Sequence, residues 1–134
     1  MVSPDSEEFS NRDKIELHFI GHLQSNKVKK AVEIFDVIQT VDSVKLAERI
    51  NHVCKERETR QNIYIQVNIS KDPNKYGILP EHTMEAAQII SKNKHISLRG
   101  IMTIPAKGLT SLEISSVYRK TRKIRDEIYS NINK

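Results

Sequence analysis

Apolar positions along the chain follow two alternating patterns. Short runs rich in β-branched and aromatic residues stand at 17–20, 37–41, 63–69 and 98–104, with turn-forming residues such as Gly21, Asp42 and Pro105 at their ends. Runs of this kind predict strands. Between them the apolar spacing changes to three and four. Val28, Ala31, Val32 and Phe35 share one side of 25–35, and Leu46, Ala47, Ile50, Val53 and Cys54 form one face of 43–58, with Lys45, Glu48, Arg49 and Lys55 outside. That period predicts amphipathic helices. Pro80 suits the first position of a helix reaching Lys92 with Met84, Ala87 and Ile90 on its inner side. Thr110 and Glu113 have capping-box spacing ahead of Ile114, Val117, Thr121, Ile124 and Ile128.

The predicted order is therefore strand, helix, repeated four times. Strands alternating with helices of this length predict an α/β fold with a parallel sheet and right-handed crossovers, because adjacent parallel strands need a long connection. The 63–69 run reads as apolar on both alternating sets, which predicts a sheet covered on both faces. In such sheets ligands gather at the carboxyl ends of the strands. Those ends are 21–24, 40–42, 68–75 and 102–107.

At 134 residues, 37% hydrophobic and 29% charged, the chain is expected to form one domain. Residues 1–13 are polar, contain Pro4 and lack an apolar period, so they are expected to be an unstructured leader to a domain at 14–134. The net charge is 22 − 17 = +5, but the basic residues are scattered and aromatics make up only 5%. A nucleic-acid surface would need clustering and stacking aromatics, so none is expected. Apolar runs of about four residues fall far short of the ~20 needed to cross a bilayer, and no signal-like start is present. A soluble, cytoplasmic protein with no membrane partner is expected. The single cysteine, Cys54, excludes an internal disulfide.

Motifs for common chemistries are missing: there is no Gly-x-Ser-x-Gly, no Gly-x-Gly-x-x-Gly and no Walker-type phosphate loop. His18 and His22 lie on a strand and the turn after it, so about 13 Å separates them and no metal pair is expected. The turn at 72–77, Asp-Pro-Asn-Lys-Tyr-Gly, is either a loop over a ligand or an ordinary connection. Gln39, Gln66 and Asn68 are polar residues in apolar strands, so each is either satisfied by a neighbour or turned to a ligand. Asn68, nearest a carboxyl end, is the best candidate.

The segment His18-Phe19-Ile20-Gly21-His22-Leu23-Gln24-Ser25-Asn26-Lys27 closely resembles the signature of the pyridoxal phosphate homeostasis proteins, small single-domain barrels related to the N-terminal domain of alanine racemase. The resemblance continues through Thr40-Val41-Asp42-Ser43-Val44-Lys45-Leu46-Ala47, through Gln66-Val67-Asn68-Ile69-Ser70 with Lys75 and Gly77, and through Leu98-Arg99-Gly100-Ile101-Met102-Thr103-Ile104-Pro105. Leu17 departs from it, since the family usually has Trp or Phe there.

The resemblance implies a partial (β/α) TIM-type barrel, about four parallel strands alternating with four helices. It also implies pyridoxal 5′-phosphate as cofactor and a role in supplying or buffering it without established catalysis. Matched motif by motif, the chain supplies what would be strands three to six. The strand with the Schiff-base lysine and the strand with a Gly-Glu-Asn motif would precede Leu17, and the phosphate-binding loops would follow Lys134. The expectation is a chain truncated at both ends, about half of the ~250 residues such a barrel takes. Cofactor binding is expected to be impaired, covalent attachment is not expected, and racemase activity is disfavoured. Lys14 would sit at the wrong end of the sheet, Lys27 and Lys45 in helices, and Lys71, Lys75 and Lys107 on loops. The matched positions expected to face a bound ring are His22, Asn68, Met102 and Thr103, while Tyr64, Ile65 and Ile101 are expected in the core. A half-barrel leaves two open edges, which suggests a homodimer of half-barrels. The alternative is a non-binding interaction fragment that pairs with itself or with a full-length relative.

Overall fold

The computed structural model describes residues 15–132, and the expected leader at 1–13 lies outside them. Strands β1 (His18–Phe19), β2 (Val37–Val41), β3 (Gln61–Gln66) and β4 (Ile96–Met102) form one sheet in the order β1-β2-β3-β4. Every pairing is parallel. Helices α1 (Val28–Ile34), α2 (Val44–Arg57), α3 (Pro80–Ile90) and α4 (Ser111–Ile132) alternate with the strands, and a short 3₁₀ turn at Ser25–Lys27 leads into α1. Consecutive helices pack on one another. This is the parallel α/β arrangement that the alternating pattern predicts, with the four strands and four helices that the resemblance implies.

One face of the sheet carries the core. Ile38, Ile63, Ile65 and Val67 pack with Ala47, Ile50, Val53, Cys54, Ala87 and Ile90 from the helices, all almost fully shielded from solvent. Burying each Ile or Val contributes about 1.5–3 kcal/mol. The other face corrects the expectation of a doubly covered, apolar sheet. Side chains alternate across a strand, so Asn62, Tyr64 and Gln66 lie opposite Ile63 and Ile65. Asn62 and Tyr64 are only half-buried, while Gln66 is buried. On the same side, Gln39 Nε2 donates to His18 Nδ1 at 2.9 Å, and the other ring nitrogen pairs with Glu16. Of the three residues expected in the core, only Ile65 is fully buried; Tyr64 and Ile101 are half-buried.

Strand lengths differ from the sequence expectation for local reasons. β1 keeps only His18 and Phe19, and Leu17 and Ile20 on either side of it are exposed. β3 begins at Gln61, where the backbone N–H donates to His95 O, and regular pairing stops after Gln66 as Ile78 returns alongside. β4 runs from Ile96 rather than Leu98 and carries a bulge, since Ile63 pairs with Leu98 but Tyr64 pairs with Gly100, leaving Arg99 as the extra residue.

The helix ends follow the expected chemistry. Ser43 Oγ accepts from Leu46 N–H at 3.0 Å and caps α2, and Glu58 closes it in the left-handed region at φ 55°. At α4, Thr110 Oγ1 accepts from Glu113 N–H and Glu113 Oε1 accepts from Thr110 N–H. Hydrogen bonding from the Thr110 backbone N–H, and next from its side chain, holds the Glu113 carboxyl below its ordinary value.

Candidate functional site

A parallel sheet delivers the carboxyl ends of all its strands to one edge. β1 leads into His22, β2 into Asp42 and β3 into Asn68, while β4 ends at Met102 with Thr103 next. His22 and Asp42 come together there, with Nδ1 3.7 Å from Oδ2. Burial pushes the Asp42 carboxyl up from its ordinary value, and the neighbouring His22 and a hydrogen bond to its own backbone oppose that shift. The face of the His22 ring is covered by Tyr76, with ring centroids 3.6 Å apart and planes 10° from parallel.

Tyr76 reaches β1 from the loop between β3 and α3, and that loop is tied internally. Asn68 Nδ2 donates to Asp72 O at 2.8 Å, Ser70 Oγ donates to Asn68 Oδ1, and Asp72 Oδ1 accepts from Asn74 N–H. Asn68 N–H donates to Ile78 O, and Ile78 N–H donates to Gln66 O. Gln66 Nε2 donates to the Tyr76 carbonyl. Gly77 sits at φ +124°, and a Cβ there would lie 2.7 Å from Asn68 N, so glycine is required. Asn68 thus spends its side chain on its own loop. Thr103 is similarly engaged, its hydroxyl donating to Val67 O at 2.8 Å.

The sequence-derived candidates therefore fall into two groups at one edge. His22 joins Asp42 and Tyr76 over the β1 and β2 ends. Asn68 and Thr103 join through the Val67 segment at the β3 and β4 ends, next to Met102. β1 and β4 are three strand spacings apart, about 14 Å across. Tyr76 lies in the 72–77 turn that the sequence leaves open between a loop over a ligand and an ordinary connection, and the sequence does not single it out within that turn. An aromatic inside a Pro- and Gly-bearing turn is its only sequence signal, and nothing in the spacing connects it to His22.

Pyridoxal phosphate needs a flat surface for its ring, donors for its phosphate and a partner for the ring nitrogen. Toward the first need the described residues offer the His22 ring, one face of which Tyr76 covers, and the half-buried Met102 at the other end of the strand edge. The loop adds Lys71 and Lys75, of which Lys71 pairs with Glu81 at 3.5 Å. Among the described residues no group of three or more His, Cys, Asp or Glu is placed to hold a metal ion. No helix among them is long and apolar enough to cross a membrane.

The profile of the family "alanine racemase, N-terminal domain" matches residues 10–130. The pyridoxal phosphate homeostasis protein of Haemophilus influenzae is 39% identical over 114 residues, covering 85% of this chain and 48% of that protein. The protein of the same name from Aquifex aeolicus is 31% identical over 119 residues, covering 89% and 52%. The chain spans about half the length of the curated relatives it matches. Among solved structures, PipY of Synechococcus elongatus PCC7942 with PLP bound aligns with a TM-score of 0.84 at 31% identity, over 94% of this chain and 58% of PipY. An alanine racemase of Clostridium difficile aligns at 0.72 with 15% identity, over 94% and 33%. That last likeness is one of fold alone.

Proposed function

The chain belongs to the alanine racemase N-terminal domain family, and from that premise we propose that it is a pyridoxal 5′-phosphate-binding protein of the homeostasis type, without catalysis. The observation that carries this reading is the alignment of 94% of the chain with PipY, whose structure holds PLP. The edge bearing His22, Asn68, Met102 and Thr103 supports it.

In this reading His22 offers its ring face at the β1 end of the mouth and Met102 lines the mouth at the β4 end. Asn68 and Thr103 act one step back, fixing the loop and the strand end that shape the mouth. Asp42 orients the His22 ring from its edge. When bound, pyridoxal phosphate supplies an electrophilic aldehyde and an electron-withdrawing ring. This chain holds that group reversibly, because the lysines at this edge stand on loops without the fixed aim a strand gives. The site is expected in the cytoplasm, where free pyridoxal phosphate would be buffered rather than turned over.

Titration of the chain with pyridoxal phosphate, followed by borohydride treatment and peptide mass mapping, tests this. Saturable binding with no lysine stoichiometrically fixed is expected. Failure to saturate overturns the binding claim, and one fully fixed lysine overturns the non-covalent claim.

A second reading is favoured by the outer side of β4. A groove of about 640 Å³ runs between that strand and α4, lined by apolar Ile96, Leu98, Ile101, Ile128 and Ile132, with Arg60 and Arg99 at its rim. An open strand edge beside a groove of mixed apolar and polar lining is a pairing surface, so the chain could instead work by pairing with itself, as a homodimer of half-barrels, or with a full-length relative. Light scattering of the chain alone and mixed with the Haemophilus influenzae relative distinguishes these. Stable dimers or mixed complexes support pairing, and monomers in both samples exclude it.

A further inference from the structure

We propose that Tyr76 is a built-in occupant of the ring site, holding the place on His22 that a planar heteroaromatic ligand takes and so admitting only ligands with a ring able to replace it. The inference deepens the binding reading above and rests on it. At 3.6 Å between centroids and 10° between planes, the two rings are in face-to-face contact. No third ring fits between them, so a ligand that stacks on this face of His22 must displace Tyr76.

Tyr76 is placed to leave. It is 58% exposed, its hydroxyl makes no hydrogen bond among the described residues, and its ring is stacked on His22. Its backbone is pinned by contrast. Gln66 Nε2 donates to the Tyr76 carbonyl, Gly77 is fixed at φ +124° against Asn68, and Ile78 N–H donates to Gln66 O. The side chain can therefore swing about its own bonds while the loop stays in place, a motion of the exposed rotamer-flip kind. His22 stays behind, its edge held near Asp42. An aromatic ligand regains the stacking that Tyr76 gives up, whereas an isolated phosphate group regains none of it. Tyr76 is thus a specificity-determining residue for the ring rather than for the phosphate.

The test follows the His22 ring protons by NMR in the full chain, with pyridoxal phosphate and inorganic phosphate as separate probes, beside calorimetric titration of wild type, Tyr76→Ala and Tyr76→Leu. In wild type the His22 protons should show a ring-current shift that both substitutions abolish. Pyridoxal phosphate should change that shift together with the Tyr76 signals, and inorganic phosphate should not. Both variants should bind pyridoxal phosphate about twofold to tenfold more tightly, the range set by one aromatic pair. If wild type binds but neither variant binds more tightly, the inference fails and the binding reading stands. If no form binds, the binding reading fails and takes the inference with it. Absence of the ring-current shift overturns the inference whatever the affinities.

Discussion

Thr40 is buried in β2, and its hydroxyl is a buried side-chain polar atom without a hydrogen-bond partner among the described residues. An unmet buried polar group costs about 1–3 kcal/mol. Thr40→Val keeps the shape and removes the group, so urea unfolding should show a gain of about 1 kcal/mol; a loss would mean the hydroxyl has a partner in solution. Asp42 gives a pH signature. Its carboxyl titrates above its ordinary value chiefly because it is buried, so between that value and the raised one the folded chain binds more protons than the unfolded chain. Asp42's contribution to stability is then fully present below the ordinary carboxylate value and is lost as pH rises through the raised one. Asp42→Asn should remove this slope. Thermal melts across the mildly acidic range check it, and an unchanged slope would assign the pH dependence to other groups.

Helices and strands form here largely by rules that act within one segment, and for that reason much of the fold is legible in the sequence. Ser43 caps α2 through the spacing expected of an N-cap. Ser43→Ala should cost about 1 kcal/mol, read as a shift of the denaturation midpoint, and no shift would mean the cap is replaced by water. The 3.6-residue stripe of Leu46, Ile50 and Val53 is buried as written. What resists a segment-by-segment reading needs two segments at once. The bulge at Arg99 exists only relative to β3. The polar alternation of Asn62, Tyr64 and Gln66 hides among β-branched residues, and its meaning emerges only when the helices cover one face and not the other.

At the scale of the molecule, four parallel strands with one buried face and one part-exposed, partly polar face bring His22, Asp42 and Tyr76 together at the carboxyl edge. The motif resemblance located His22, Asn68, Met102 and Thr103 at that edge, but their division of labour was not legible. Asn68 and Thr103 turn out to make internal bonds, and the Tyr76 stack joins two loops distant in sequence. The central claim is that this edge binds pyridoxal phosphate reversibly. Backbone chemical-shift mapping during titration with pyridoxal phosphate tests it most directly. Saturable shifts gathered at His22, Asp42, Tyr76, Met102 and Thr103 are the result expected, whereas shifts that never saturate, or that gather at the amino ends of the strands, would contradict it.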